Sequence, residues 1–356
     1  MHSENCLNLD YQEEAACFAR YRFPIIDSHA HINGDQAVNI YRQAADLYGI
    51  SLTYSMTYYE EIDRVKEILG DKVRFITMPQ FTEEEKYYYD TSAYIRFIEK
   101  FYAKGSRIMK FWSPPRAIDY GENVGIPDLL KFDSPRRQEI MRQVYNLGMV
   151  FMVHVGDPDI WFSTKYSDSK RYRKKIDQYK PLQKALDKYD TSFIAAHMGG
   201  WPENLEFLDK MLELHGNLYL DTSATKWMVR ELSKYSREEL SNFFMKWKGR
   251  ILFGSDIVSK EVHILSDSEN KNLTVEELRS RAFDLYSSRY WALRTLFESK
   301  YKGKSPIADP DLALIDPARY QADSSADMRG INLPQDVLES LYYKASHDLL
   351  EPLHTA

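Results

Sequence analysis

Phe23-Pro24-Ile25-Ile26-Asp27-Ser28-His29-Ala30-His31 decides how this chain is read. A β-branched, apolar start runs into two histidines spaced i, i+2, the pattern of a strand that ends in polar side chains. Side chains on a strand alternate between faces, so His29 and His31 point the same way, with Asp27 and Ile25 in the same row. Two imidazoles on one face at a strand end make half of a metal site.

The bulk composition sets the context. With 356 residues, 44% hydrophobic and 28% charged, the chain has enough apolar material for a large single core. A formal charge of -6 gives no electrostatic footprint for a nucleic-acid partner. No apolar run approaches the ~20 residues that span a bilayer, so no membrane partner is expected. The first twenty residues carry Glu4, Asp10, Glu13 and Glu14 and lack the basic-then-apolar order of a signal peptide. Two cysteines, Cys6 and Cys17, make no disulfide framework, so a reducing cytoplasm is the expected compartment. The 26 tyrosines read as packing.

Eight apolar runs alternate with helical patterns, at residues 23–28, 50–56, 73–78, 107–112, 149–154, 192–197, 217–221 and 250–253. Short continuous apolar runs separated by helices indicate parallel strands buried on both faces. Eight such units predict an α/β chain folded as a (β/α)8 TIM barrel rather than an open doubly wound sheet. The turn after the first strand is His-Ala-His and carries none of the glycines that an open dinucleotide-binding sheet would need. Helix starts are expected at Ser134-Pro135 and Pro202-Glu203, where proline suits the first turn. The expected organisation is one domain over 1–356, with a leader helix in 1–22, the barrel core in 23–300, and an irregular segment and closing helix in 301–356. The longer connections, 80–90, 113–132, 156–175 and 257–274, follow strands and would build the mouth.

Polar residues fall at the ends of those runs. His154 ends the fifth, His197 ends the sixth, and Asp256 follows the eighth. In a barrel those ends converge on one face, where His29, His31, His154 and Asp256 would supply three neutral imidazoles and a carboxylate. That donor set suits Zn²⁺ first, with Mn²⁺, Fe²⁺ or Ni²⁺ as alternatives, and argues against an all-oxygen Ca²⁺ site. Alternation puts Ile108, Lys110 and Trp112 on one face of the fourth strand, and Lys110 is expected inside, holding an anionic substrate or serving the site electrostatically. A register slip of one residue would turn it to a helix instead. After strand seven, Lys226 and Arg230 lie i, i+4 on a helix, expected exposed and able to bind a carboxylate. Trp161, in the aromatic segment after His154, is expected to line the pocket.

With those residues in place, the sequence resembles the amidohydrolase superfamily, and within it the amidohydrolase-related branch that includes aminocarboxymuconate semialdehyde decarboxylase. The resemblance rests on Ile26-Asp27-Ser28-His29-Ala30-His31, on His154, on Ala196-His197-Met198-Gly199-Gly200, on Leu252-Phe253-Gly254-Ser255-Asp256 and on Leu333-Pro334-Gln335-Asp336-Val337-Leu338. It implies a metal-dependent TIM-barrel enzyme in which His29, His31, His154 and Asp256 hold one divalent ion and His197 acts beside it. The strand-four pattern departs from the branch, because Lys110 is followed by Phe111-Trp112 where a histidine often stands two places after the lysine. The expected reaction is hydrolysis of an amide, ester or lactone of a small carboxylate-bearing substrate. A metal-activated water would attack, Asp256 would take its proton, and His197 would support the developing oxyanion. Asp27 is expected to orient a ligand imidazole from behind. An alternative on the same site is nonoxidative decarboxylation of an aromatic or enol acid, and a further one is a metal-binding barrel without catalysis. The resemblance also allows a homodimer.

Overall fold

The decisive stretch forms strand β1 (Ile25–Ile32), longer than the run that announced it, so that both histidines lie inside the strand. The computed structural model describes residues 2–78, 89–265 and 272–355. The expected connections 80–90 and 257–274 therefore lie partly outside the described residues. The remaining parallel strands are β2 (Ile50–Ser55), β3 (Val73–Thr77), β4 (Ile108–Trp112), β5 (Val150–His154), β6 (Phe193–Ala195), β7 (Leu218–Asp221), β8 (Ile251–Leu252) and β9 (Ile257–Ser259). Their order in the sheet is β8-β7-β6-β5-β4-β3-β2-β1-β9. The pairs β1–β2, β1–β9, β3–β4, β4–β5, β5–β6 and β6–β7 are parallel. Successive parallel strands joined by helices, with the last returning to the first, are the topology of a (β/α)8 barrel.

By its internal contacts the chain divides into two compact units, Met1–Arg74 with Thr222–Asp348, and Phe75–Asp221 with Leu349–Ala356. In the first unit, β9 pairs with β1 through Ala30↔Ile257, His31↔Val258 and Ile32↔Ser259. Its core is rich in tyrosine: Tyr41, Tyr48, Tyr286 and Tyr290 are fully buried. Their hydroxyls stay satisfied where it matters, Tyr41 with Thr53 at 2.7 Å and with Tyr290 at 2.9 Å. The helix Val275–Glu298 crosses this core and opens with a capping box between Thr274 and Glu277.

In the second unit, β4 to β7 run in register, Lys110↔Met152 and Met152↔Ile194 among the pairs. One face carries an aromatic row, Phe111–Phe151 at 5.2 Å and Phe151–Phe193 at 4.9 Å between ring centroids, and the opposite face carries Lys110, Met152 and His154. The helix Pro135–Asn146 starts at its proline with Ser134 as cap, as expected. The other expected start is displaced: that helix is Leu205–Leu214, capped by Asn204. Glu203 is instead drawn to the buried Lys175 ammonium at 3.3 Å.

Two terminal expectations need correction. The leader is helical only over Tyr11–Ala15, capped by Asp10. The segment expected to be irregular contains an antiparallel hairpin, β10 (Lys302–Ala308) with β11 (Ser325–Arg329). Gly303, Pro306 and flanking charges hid it, because pairing here comes from its place on the first unit rather than from local propensity. The closing helix is present as Gln335–Glu339, a π turn Ser340–Lys344, and Ala345–Leu350, and the Leu341 carbonyl accepts from Phe253 N–H at 3.0 Å. Among the described residues no helix is long and apolar enough to cross a membrane.

Candidate metal centre

In the first unit, β1 and the segment after β8 are laced together by backbone bonds. Ser28 N–H donates to the Phe253 carbonyl and Asp256 N–H to the His29 carbonyl, both at 2.8 Å. Gly254 permits this approach, since a Cβ there would stand 2.9 Å from His29 Cβ. Asp256 then takes a left-handed conformation (φ 59°), which short polar residues tolerate best among those with a Cβ. The result brings one carboxylate to two imidazoles: His29 Nε2 lies 3.5 Å and His31 Nε2 3.3 Å from Asp256 Oδ1. Those separations exceed ordinary hydrogen-bond contact. A tetrahedral ion with bonds of about 2.1 Å holds its ligand atoms about 3.4 Å apart, so each imidazole stands from Asp256 at the spacing of a coordination edge, and all three ligand atoms lie within 4.8 Å of one another. Ser223 Oγ sits 3.0 Å from His29 Nδ1. The tautomer with its proton on Nδ1 would give that hydrogen to Ser223 and leave the Nε2 lone pair toward Asp256.

Asp27 is fully buried behind the pair, but its partners differ from the expected imidazole. Its carboxylate accepts from His29 N–H (3.1 Å), Ser255 N–H (3.1 Å), Ser255 Oγ (2.6 Å) and Tyr290 OH (2.9 Å). It therefore fixes the backbone on both sides of the ligands. Burial pushes its pKa up to about 6, and the bonds from Ser255, His29 and Tyr290 pull against that rise.

The second unit positions His154 and His197. Their rings meet edge-on at 4.7 Å. His197 begins a left-handed turn in which His197, Met198, Gly199 and Gly200 all have positive φ. Asp221, at the end of β7, accepts the His197 N–H at 2.8 Å, and Tyr179 OH donates to the Gly199 carbonyl at 2.9 Å. His154 Nε2 lies 3.0 Å from Asp157 Oδ1, and Tyr166 OH donates to Asp157 Oδ2 at 2.7 Å. Burial raises the Asp157 pKa, and the His154 and Tyr166 interactions more than reverse it. Sequence reading missed Asp157, Asp221 and Ser223. A signal was available for Asp221, which ends its strand as the histidines end theirs.

The basic candidates separate. Lys110 is buried on the His154 face of the sheet, opposite Phe111. Trp161 is half-buried on the helix Asp159–Ser163, with Lys165 Nζ 3.3 Å from its ring centroid. Lys226 is half-buried among Arg289, Glu4 and Asp309, and burial pulls its ammonium pKa down. Arg230 contradicts its expected exposure: it is 3% exposed and bonded to Glu231 Oε1 (2.7 Å) and Asp309 Oδ2 (2.5 Å). Asp309 follows the hairpin strand β10, so the segment taken for irregular supplies the partner that buries the guanidinium.

Comparisons place this chain beside several solved structures. It is similar to a probable 2-pyrone-4,6-dicarboxylic acid hydrolase from Acinetobacter baumannii crystallised with citric acid, at 14% identity and a TM-score of 0.45, covering 76% of this chain and 96% of that one. It is similar to 2,6-dihydroxybenzoate decarboxylase from Rhizobium, at 13% identity and a TM-score of 0.40, covering 76% and 99%. A 5-carboxyvanillate decarboxylase from Novosphingobium aromaticivorans, complexed with manganese, matches at 11% identity and a TM-score of 0.42, covering 81% and 96%. No family model matches the chain, and no curated protein matches it.

Proposed function

We propose that this chain is a metal-dependent hydrolase of the amidohydrolase type, acting on an amide, ester or lactone of a small carboxylate-bearing molecule. The observation that carries the reading is the convergence of His29 Nε2 and His31 Nε2 on Asp256 Oδ1 at 3.5 and 3.3 Å. Two imidazoles and a carboxylate fit Zn²⁺, Mn²⁺, Fe²⁺ or Ni²⁺. Such an ion would supply Lewis acidity and a bound water of pKa near ~7. Asp256 would accept a proton at its free carboxylate oxygen and return it to the leaving group. Ser223 would keep the His29 ring oriented, and the Asp27 carboxylate would hold the backbone of β1 and of Ser255 in place. On the resemblance, His154 would be a further ligand, His197 would donate to the developing oxyanion, and Lys110 would hold an anionic group of the substrate.

The test is metal analysis of protein purified without chelator. About one equivalent of a divalent transition metal is expected per chain, with loss of most of it in His29→Ala, His31→Ala and Asp256→Ala. Undiminished metal in Asp256→Ala would sink the reading. His154→Ala decides the further ligand by the same assay. Turnover of lactones, esters and amides, followed as acid release, is set against aromatic carboxylic acids, followed as CO₂ release. Carbon dioxide without hydrolysis would reassign the chemistry to decarboxylation on the same residues.

A further inference from the structure

Within the second unit alone, residues 113–133 and 170–181 enclose a cavity of about 270 Å³. Its walls are preformed. Pro114, Pro115, Pro127 and Pro181 line it, each with φ fixed by its ring. Gly121 draws the 121–127 loop tight, since a Cβ there would run into the Ile126 carbonyl oxygen. Ser113 Oγ donates to the Leu130 carbonyl at 2.6 Å and holds the two sides of the loop together. Inside, Ile118 and Phe132 offer apolar surface.

The rim is charged, and pairing its groups leaves a remainder. Arg171 is taken by Asp119 and Glu122, each at 2.6 Å, and Asp177 by Lys180 at 2.6 Å. Lys131 lies 3.8 and 3.9 Å from Asp128 and Asp133. Lys170 and Arg173 line the cavity and have no carboxylate at ion-pair distance among the described residues. Arg173 also leaves the helix Ser169–Tyr172 in a left-handed conformation (φ 63°), a strained choice for a residue with a side chain. Behind the wall lies Arg137, 1% exposed, with Nη2 donating to the Trp112 and Leu130 carbonyls at 3.3 Å each. Its Nε and Nη1 have no acceptor among the described residues.

We propose that this cavity is a binding site for a small carboxylate with an apolar body, the anion at Lys170 and Arg173 and the body against Ile118 and Phe132. Apolar surface beside two cations that have no ion-pair partner among the described residues is a composition that a small anionic molecule can use. Every residue it uses lies between Ser113 and Pro181, so the site stands or falls independently of the metal reading.

Benzoate and benzamide, which share a ring and differ in charge, are titrated into chelator-treated full-length protein while the Ile118 δ1-methyl resonance is followed by NMR, assigned with Ile118→Val. Benzoate should shift that resonance saturably, and benzamide should bind at least about tenfold more weakly. The Lys170→Gln/Arg173→Gln variant, altered only at exposed side chains, should keep the wild-type melting temperature and lose about tenfold in benzoate affinity. An unmoved Ile118 methyl, equal binding of benzamide, or full benzoate affinity in the double variant would each overturn the proposal.

Discussion

At the scale of single residues, the first unit turns on Asp27. Four donors converge on its buried carboxylate, and two of them belong to Ser255, one residue before Asp256. Asp27→Ala leaves those donors without an acceptor, so an unfolding free energy lower by on the order of 3 kcal/mol is expected in denaturant titration. Retained stability would mean that the network is incidental. The turn at His197 makes a second demand. Gly199 has φ 64°, and a Cβ there would meet Leu208 Cδ2 at 3.0 Å and Leu220 Cδ2 at 3.3 Å. Gly199→Ala should therefore cost about 1–2 kcal/mol, read as a lower denaturant midpoint with an unchanged slope. The residues His29, His31 and Asp256 were legible because each stands where an apolar run ends. Asp157 was not, since nothing in Gly156-Asp157-Pro158 says that a loop carboxylate will turn back to His154.

At the scale of elements, helix starts carry the testable chemistry. Thr274 N–H and Oγ1 donate to Glu277 Oε2 at 2.7 and 2.8 Å, and Glu277 N–H donates to Thr274 Oγ1 at 3.2 Å. Those bonds hold the Glu277 carboxyl below the ordinary glutamate value. A depressed acid stabilises the fold above its unfolded pKa, and that contribution disappears as pH falls through the folded value. Wild type should accordingly protect the amides of the first turn of Val275–Glu298 better than Glu277→Ala at neutral pH. The two should converge in acid by hydrogen exchange, and a gap that persists in acid would exclude the carboxylate as its cause. The helix Gln36–Leu47 solves its start from outside: Glu261 accepts from Asp35 N–H at 2.8 Å, and Glu61 takes Gly34 N–H. No local signature announces such a cap, because its carboxylates come from other loops. The β10–β11 hairpin escaped for a related reason: its strands read as turn residues until a partner strand stands beside them.

For the molecule as a whole, the βα alternation was readable because parallel strands buried on both faces write themselves as apolar runs. Long-range charge pairing was not readable. Arg230 reaches Asp309, 79 positions away, and both are buried. Arg230→Met should leave the buried Asp309 without its counter-charge, while Glu231 keeps Lys234 at 2.5 Å, and lower stability by about 3–5 kcal/mol. Adding Asp309→Asn to that variant should recover part of the loss in the same unfolding assay. No recovery would place the cost in packing instead.

Ser255 and Asp27 are joined across 228 positions of chain. During synthesis the two imidazoles of β1 leave the ribosome long before the carboxylate beside them, which follows at the far end of that separation. A nascent chain that stops before Gly254 can hold no ion in this arrangement. If these three side chains hold an ion, its capture waits until β9 has paired with β1, and so reports that pairing.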